Sequence, residues 1–260
     1  MSLLKKTRKV VLVFLFLIYS NAVLSVEIFF ELRNAPKESI LVVPLQEIVK
    51  DVSLLSLGCN QNLEIARDVG FVAGMVARSY GFEYFVFGTL DTLDESDPNP
   101  LDRISRSAFI TAQVLTYLSE GLFNSGVIPV LNGLDRIDPD VVRALINGKA
   151  IYPTLVENES KAEKLTRLGY DTLFVFIDGT TNGKLPKNKL DLSVDLSTVE
   201  SIRRRVLEGA IVLLSKSDKI VNVNRPFAKA GVLIFSGEEW LVEIAKQVLD
   251  GNRPSTGRTP

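Results

Sequence analysis

The feature that most constrains this chain is an alternation. Short runs rich in Val, Ile, Leu and Phe are each followed by a stretch of helical periodicity. The candidate strands are Glu27–Leu32, Ile40–Val43, Tyr84–Phe87, Val127–Leu131, Ala150–Tyr152, Thr172–Ile177, Ala210–Leu214 and Val232–Phe235. They show little in/out alternation, as strands buried on both faces of a parallel sheet do. Between them lie amphipathic stretches at about Leu63–Tyr80, Ile104–Asn124, Pro139–Ile146, Ser160–Leu168, Thr198–Glu208 and Glu238–Leu249, with Gly81, Gly126, Gly169 and Gly251 placed as helix stops. This pattern predicts an α/β fold, a (β/α)8 TIM-type barrel over residues 26–251, for which ~250 residues is an ordinary single domain. The connection between the first two strands is too short for a crossover helix. The barrel is therefore expected to be incomplete or irregular at its N-terminal strands, with the first strand in a hairpin or outside the barrel. Residues 178–196 read as a long functional or loosely ordered loop, and 252–260 as a disordered tail.

The N-terminus has its own layout. Lys5, Lys6, Arg8 and Lys9 precede an apolar core from Val10 to Tyr19, and Ala22-Val23-Leu24-Ser25 follows. This is the arrangement of a secretory signal over residues 1–25, in a core short for a membrane span. The expected localisation is secreted or periplasmic, in the cell envelope, with an uncleaved membrane anchor as the alternative. Hydrophobic residues make up 46% of the chain and charged residues 23%, a globular balance. Net charge is −1, which argues against a nucleic-acid surface. The one cysteine, Cys59, leaves no internal disulfide. Histidine is absent from the whole chain. That excludes Ser-His-Asp and Cys-His triads and the usual zinc sites, and no cofactor or metal is expected.

Residues 82–103, FEYFVFGTLDTLDESDPNPLDR, pass from an apolar strand into an acidic loop holding Asp91, Asp94, Glu95 and Asp97. Carboxylates at the C-terminal end of a barrel strand stand where active sites of that fold lie. The other reading is a solvated turn, or an oxygen-rich calcium loop that lacks the usual D-x-D-x-D-G spacing.

The stretch from Leu63 to Asp91 resembles a segment of glycoside hydrolase family 3, A-x-x-x-G-x-x-A, R-x-x-G-I-N, F-A-P-V-L-D. Ala66, Gly70, Ala73, Arg78, Gly81 and Asp91 fall at the family's spacing. Asp97-Pro98-Asn99-Pro100 with Arg103 is similar to its D-P-x-N-P … R-S-F, and Gly121-Leu122 with Gly126-Val127-Ile128 to its G-L-x-x-x-G-V-x-A. Residues 196–218 resemble the segment that ends in the nucleophilic aspartate. The motifs occur in the family's order, and by length the β-N-acetylhexosaminidase branch is nearest.

The resemblance implies substrate binding by Asp91 and Arg103, a nucleophile position at Asp218, and a glycan or cell-wall saccharide as ligand. The departures are as informative. The family's K-H-F-P-G-H-G is missing, since the strand after Gly126 runs into VLNGLDRID, and D-Q-E-G-G is replaced by LQEIVKD after Pro44. The implied protein is an exported, catalytically degenerate relative that binds a glycan or an envelope protein partner. The alternatives are a working glycosidase on amino-sugar glycans, with Asp135 or Asp178 as acid/base, and a structural subunit of an intact paralogue.

Overall fold

The structure is a computed structural model that describes residues 25–36, 38–188, 196–215, 220–222 and 231–258. Six parallel strands, β1 (Glu27–Phe29), β2 (Ser39–Val42), β3 (Tyr84–Thr89), β4 (Ile128–Asn132), β5 (Thr154–Val156) and β6 (Phe174–Phe176), form one sheet in the spatial order of the chain. Every strand pairs with its sequence neighbour, the winding of a β/α barrel and not the reversed order of a doubly wound sheet. Between β2 and β3 lie two short helices, α1 (Leu45–Ile48) and α2 (Leu54–Cys59), and a long one, α3 (Glu64–Ser79). Helices α4 (Ala108–Asn124), α5 (Pro139–Asn147) and α6 (Glu159–Arg167) make the next crossovers. The strand expected at Ala150–Tyr152 lies one step later, because the pairing begins only past Pro153, at Thr154.

Successive strand residues pack into different clusters, which explains the missing alternation. Leu41, Phe85, Phe87, Leu131, Val156 and Phe174 join the helix-side core. Ile40, Tyr84, Val86, Ile128, Val130, Leu155 and Val175 form a second cluster on the other face, with Leu185 added from beyond β6. The segment 178–188, expected as a loop, lies against that inner face: Thr181 bridges Val175, and the Tyr84 hydroxyl donates to the Pro186 carbonyl at 3.0 Å.

The barrel is incomplete, but at its C-terminal side. After α7 (Leu196–Gly209) come β7 (Val212–Ser215), β8 (Ile220–Asn222) and β9 (Gly231–Ile234), which make a separate three-stranded sheet in the order β7-β9-β8. β9 runs antiparallel to β7 and parallel to β8, and α8 (Glu239–Leu249) packs beside it. The first strand is not in a hairpin, because β1 pairs parallel to β2. The segment joining them packs beneath the end of α3, where the Ala35 amide donates to the Tyr80 carbonyl at 2.8 Å, in the place a crossover helix would take.

Residues 252–258, expected as part of a tail, hydrogen-bond back to the rest of the chain. The Gly257 amide donates to the Ile211 carbonyl (2.7 Å), the Arg258 amide to Cys59 (2.6 Å), and the Arg258 Nε to Gly58 (2.8 Å). Among the described residues no helix is long and apolar enough to cross a membrane. The signal or anchor segment lies almost wholly outside those residues.

Two glycines of the family-like segments serve packing. A Cβ on Gly70 would stand 2.1 Å from the Leu118 carbonyl oxygen, and one on Gly121 would stand 2.0 Å from that of Arg67, so α3 and α4 touch backbone to backbone. Arg78 of the same segment donates to the Gly126 carbonyl at 2.8 Å.

The two sheets are joined through Arg203 of α7, whose side chain is 5% exposed. It donates to the Lys50 carbonyl (2.8 Å) and to the carboxylates of Asp51 (2.6 Å) and Glu238 (2.7 Å). The bond from Arg203, then that from Trp240, pulls the Glu238 carboxyl down to about 2.

Two outcomes follow from this packing. Gly121→Ala should lower the free energy of unfolding by about 1–3 kcal/mol, because the added methyl overpacks the helix contact; urea denaturation measures it. The Glu238 contribution to stability should be complete above the ordinary Glu value of roughly 4.3 and vanish as pH falls through about 2. Arg203→Met should therefore lower the urea midpoint at pH 6 and flatten its decline between those two values.

Candidate functional site

The C-terminal ends of the parallel strands form one rim, and the acidic loop rises from it. At the end of β3 the register shifts between Phe87 and Thr89, with Gly88 in the left-handed region (φ 55°) between them. This local bulge re-aims the chain, as bulges at barrel rims do. It turns Thr89 towards a cavity and sends Asp91 inward. The Asp138 amide then donates to the Leu90 carbonyl (2.8 Å), and the Thr92 hydroxyl to the Asp138 carboxylate (2.7 Å). Asp138 also caps α5, so the loop after β3 is fastened to the start of that helix.

Asp91 is 2% exposed. Its Oδ1 accepts from Arg136 Nε (2.9 Å) and from the Thr92 amide (2.9 Å), and its Oδ2 lies 3.6 Å from Arg103 Nε. Burial raises the carboxyl of Asp91, against the pull of Arg136 and Arg103. Arg103 reaches three carboxylates in all, with Asp97 at 3.5 Å and Asp135 at 3.2 Å. Its buried Nε makes no hydrogen bond among the described residues.

The structure thus brings Asp91 and Arg103 together and adds Asp97, Asp135 and Arg136. The last came from the RID run that stands where the family motif is lost, and no spacing in the sequence singled it out. The other acids brace the loop. Asp94 accepts from the Ser96 amide and hydroxyl (2.9 and 2.6 Å), Asp97 from the Asp94 amide (2.7 Å), and exposed Glu95 pairs with Arg106 (2.8 Å).

A cavity of about 160 Å³ opens beside this cluster, lined by Val42 to Leu45, the end of β3, Asn132, Asp102 and Asp135. Neither Asp91 nor Arg103 is in its wall. Asp102 ends a single 3-10 turn, Pro100–Asp102. Its carboxyl is raised, first by burial and then by the neighbouring Asp135 and Glu47, with Arg103 opposing.

Asp178, the other acid considered for proton transfer, is exposed and accepts from the Thr180 amide (2.9 Å) and hydroxyl (2.6 Å), which lower it. Asp218 lies outside the described residues. Among those residues no group of three or more His, Cys, Asp or Glu side chains is placed to hold a metal ion.

No family model matches the chain, and no curated protein matches it. Solved structures do. DesR, a β-glucosidase from Streptomyces venezuelae in complex with D-glucose, matches at a TM-score of 0.50 and 10% identity over 69% of this chain and 35% of its own. The fold is similar to that of this β-glucosidase. A glycosyl hydrolase of the GH3 family from Mycobacterium smegmatis matches at a TM-score of 0.39 and 15% identity, over 47% of this chain and 49% of that one. NagZ from Neisseria gonorrhoeae matches at 0.41 and 12%, over 65% and 63%. The chain thus spans about half or less of DesR and the M. smegmatis protein. At these identities the likeness concerns the fold.

Asp91 is the most buried charge of the rim. Asp91→Ala should cost about 1–3 kcal/mol, because it removes a buried carboxylate that Arg136 and the Thr92 amide donate to and leaves Arg103 only Asp97 and Asp135. Arg136→Met, on an exposed partner, should cost about 1 kcal/mol or less. Urea denaturation of the two variants checks the order.

Proposed function

We propose that this chain is an exported saccharide-binding protein on a glycoside hydrolase family 3-like barrel that has lost the family's histidine-dependent hydrolysis. The observation that carries the reading is the cluster of Asp91, Arg103 and Asp135 beside a cavity at the C-terminal rim, where barrels of this kind place their chemistry. The absence of histidine supports the loss, since the acid/base of the family's hexosaminidase branch is a histidine. The basic and apolar N-terminus supports export to the cell envelope, and there a cell-wall glycan or a protein partner is the expected ligand.

Asp91 acts here from behind the cavity wall, holding Arg103, which in turn holds Asp135. Its role in binding is therefore one of positioning. The full-length protein should bind N-acetylglucosamine in a calorimetric titration, and Asp91→Asn, of unchanged volume, should weaken binding tenfold or more. Absence of any binding by the folded parent refutes the reading.

A further inference from the structure

A second opening lies beside the rim cavity, and its charge is of the opposite sign. The cavity at Asp102 and Thr89, whose buried hydroxyl has no hydrogen-bond partner among the described residues, is lined by acids and belongs to the saccharide reading. The second is a groove of about 630 Å³ between residues 134–137, after β4, and the face of α6 that carries Ser160, Lys164 and Arg167. It shares only Asp135 with the cavity. Its lining carries four cationic side chains, Arg136, Lys161, Lys164 and Arg167, against two acids, Asp135 and Glu163. Both acids are already paired: Asp135 accepts from Arg103 at 3.2 Å and Glu163 from Arg167 at 2.9 Å. The whole chain has a net charge of −1, so the groove is a local reversal of sign, and such a groove concentrates ligands of the opposite charge.

The groove has fixed walls. Lys161 ties them together, its ammonium donating from α6 to the carbonyls of Leu134 and Asp135. Arg136 is held from behind, because its Nε donates to the buried Asp91 at 2.9 Å. Its two terminal nitrogens make no hydrogen bond among the described residues, which leaves the end-on fork of the guanidinium open. On the other wall Lys164 is exposed and has no acid partner among those residues. Both groups donate and cannot accept, so the guest that satisfies them is an anion.

The kind of anion follows from the donors. A phosphate monoester presents three acceptor oxygens in a tetrahedral array, of which Arg136 can take two and Lys164 the third. A carboxylate has two oxygens in one plane and would leave one of the cations unmatched. The groove is also larger than one phosphate, within the roughly 300–1,000 Å³ of small-molecule sites, and Leu134 and Ile137 line it with apolar surface.

We propose that this groove binds a small phosphomonoester, with its phosphate between Arg136 and Lys164 and its body against Leu134 and Ile137. Nothing in this site depends on the saccharide reading.

Calorimetric titration of the full-length protein with phenyl phosphate, inorganic phosphate and benzoate tests it, with N-acetylglucosamine titrated alongside. Phenyl phosphate should bind, about fivefold or more tightly than inorganic phosphate because its ring covers the apolar lining. It should also bind more tightly than benzoate. Lys164→Gln, on an exposed turn of α6, should weaken phenyl phosphate about tenfold by removing one charge-assisted bond. Its response to N-acetylglucosamine should match the parent's. Arg136→Gln should weaken phenyl phosphate to a similar degree, and Arg136→Lys, which keeps the charge and loses the fork, should recover little of it.

No binding of phenyl phosphate by the folded parent overturns the site. Parent-like affinity in Lys164→Gln or in either Arg136 variant does the same, since only diffuse attraction would survive those changes. Benzoate binding as tightly as phenyl phosphate overturns the choice of phosphate, and inorganic phosphate doing so overturns the ester.

Discussion

Arg103 is a guanidinium with almost no access to water, and it answers to carboxylates from two loops: Asp91 and Asp97 after β3, and Asp135 after β4. Left unpaired, such a charge would be among the most expensive groups in the molecule to bury, so the positions of all three acids are coupled to it. The bulge at Gly88 makes the arrangement possible by turning Asp91 inward. Arg136 then closes the second oxygen of Asp91 from the solvent side. The carboxylate the family resemblance would offer to a sugar is, in this chain, spent on the protein's own arginines. What faces the cavity is the outer layer of the cluster, Asp135 together with Asp102.

The incomplete barrel raises a second physical problem. Six strands leave the inner face of the sheet open, and Ile40, Tyr84, Val86, Ile128, Val130, Leu155 and Val175 would stand in water. The segment after β6 lies over that face, through Leu185 and the carbonyl of Pro186. The three-stranded sheet does not fill the gap as barrel strands would, since β9 runs antiparallel to β7. It is held to the half-barrel by Arg203, by α2 packing into its core through Leu55 and Cys59, and by the strap of residues 255–258.

Much of this could be read from residue pattern. The six long helices were legible to within a few residues because each has an apolar face at helical spacing, and the glycine stops at Gly81, Gly126, Gly169 and Gly251 all have left-handed backbone. The short helices α1 and α2 were not legible. Their residues are buried through tertiary contact, and four to six residues carry no measurable period. The strand misplaced at Ala150–Tyr152 shows the same limit: the apolar run is continuous across Pro153, and only pairing with β6 selects its second half. At the site, Asp91 and Arg103 were found by spacing. Asp102 and Thr89 were not, because nothing local distinguishes a half-buried acid or an orphan hydroxyl from an ordinary loop residue.

The sequence by itself determined the α/β class, the succession of strands and long helices, the absence of any histidine chemistry, and Asp91 and Arg103 as positions of interest. These follow from periodicity, composition and motif order, which are properties of the chain before it folds. Only the tertiary structure decided that the barrel breaks at its C-terminal side, that Gly70 and Gly121 are spacers between helices, and that Asp91 lies behind the cavity and not in its wall. Those are consequences of burial, and burial is set by which distant segments cover a residue. No local pattern records it.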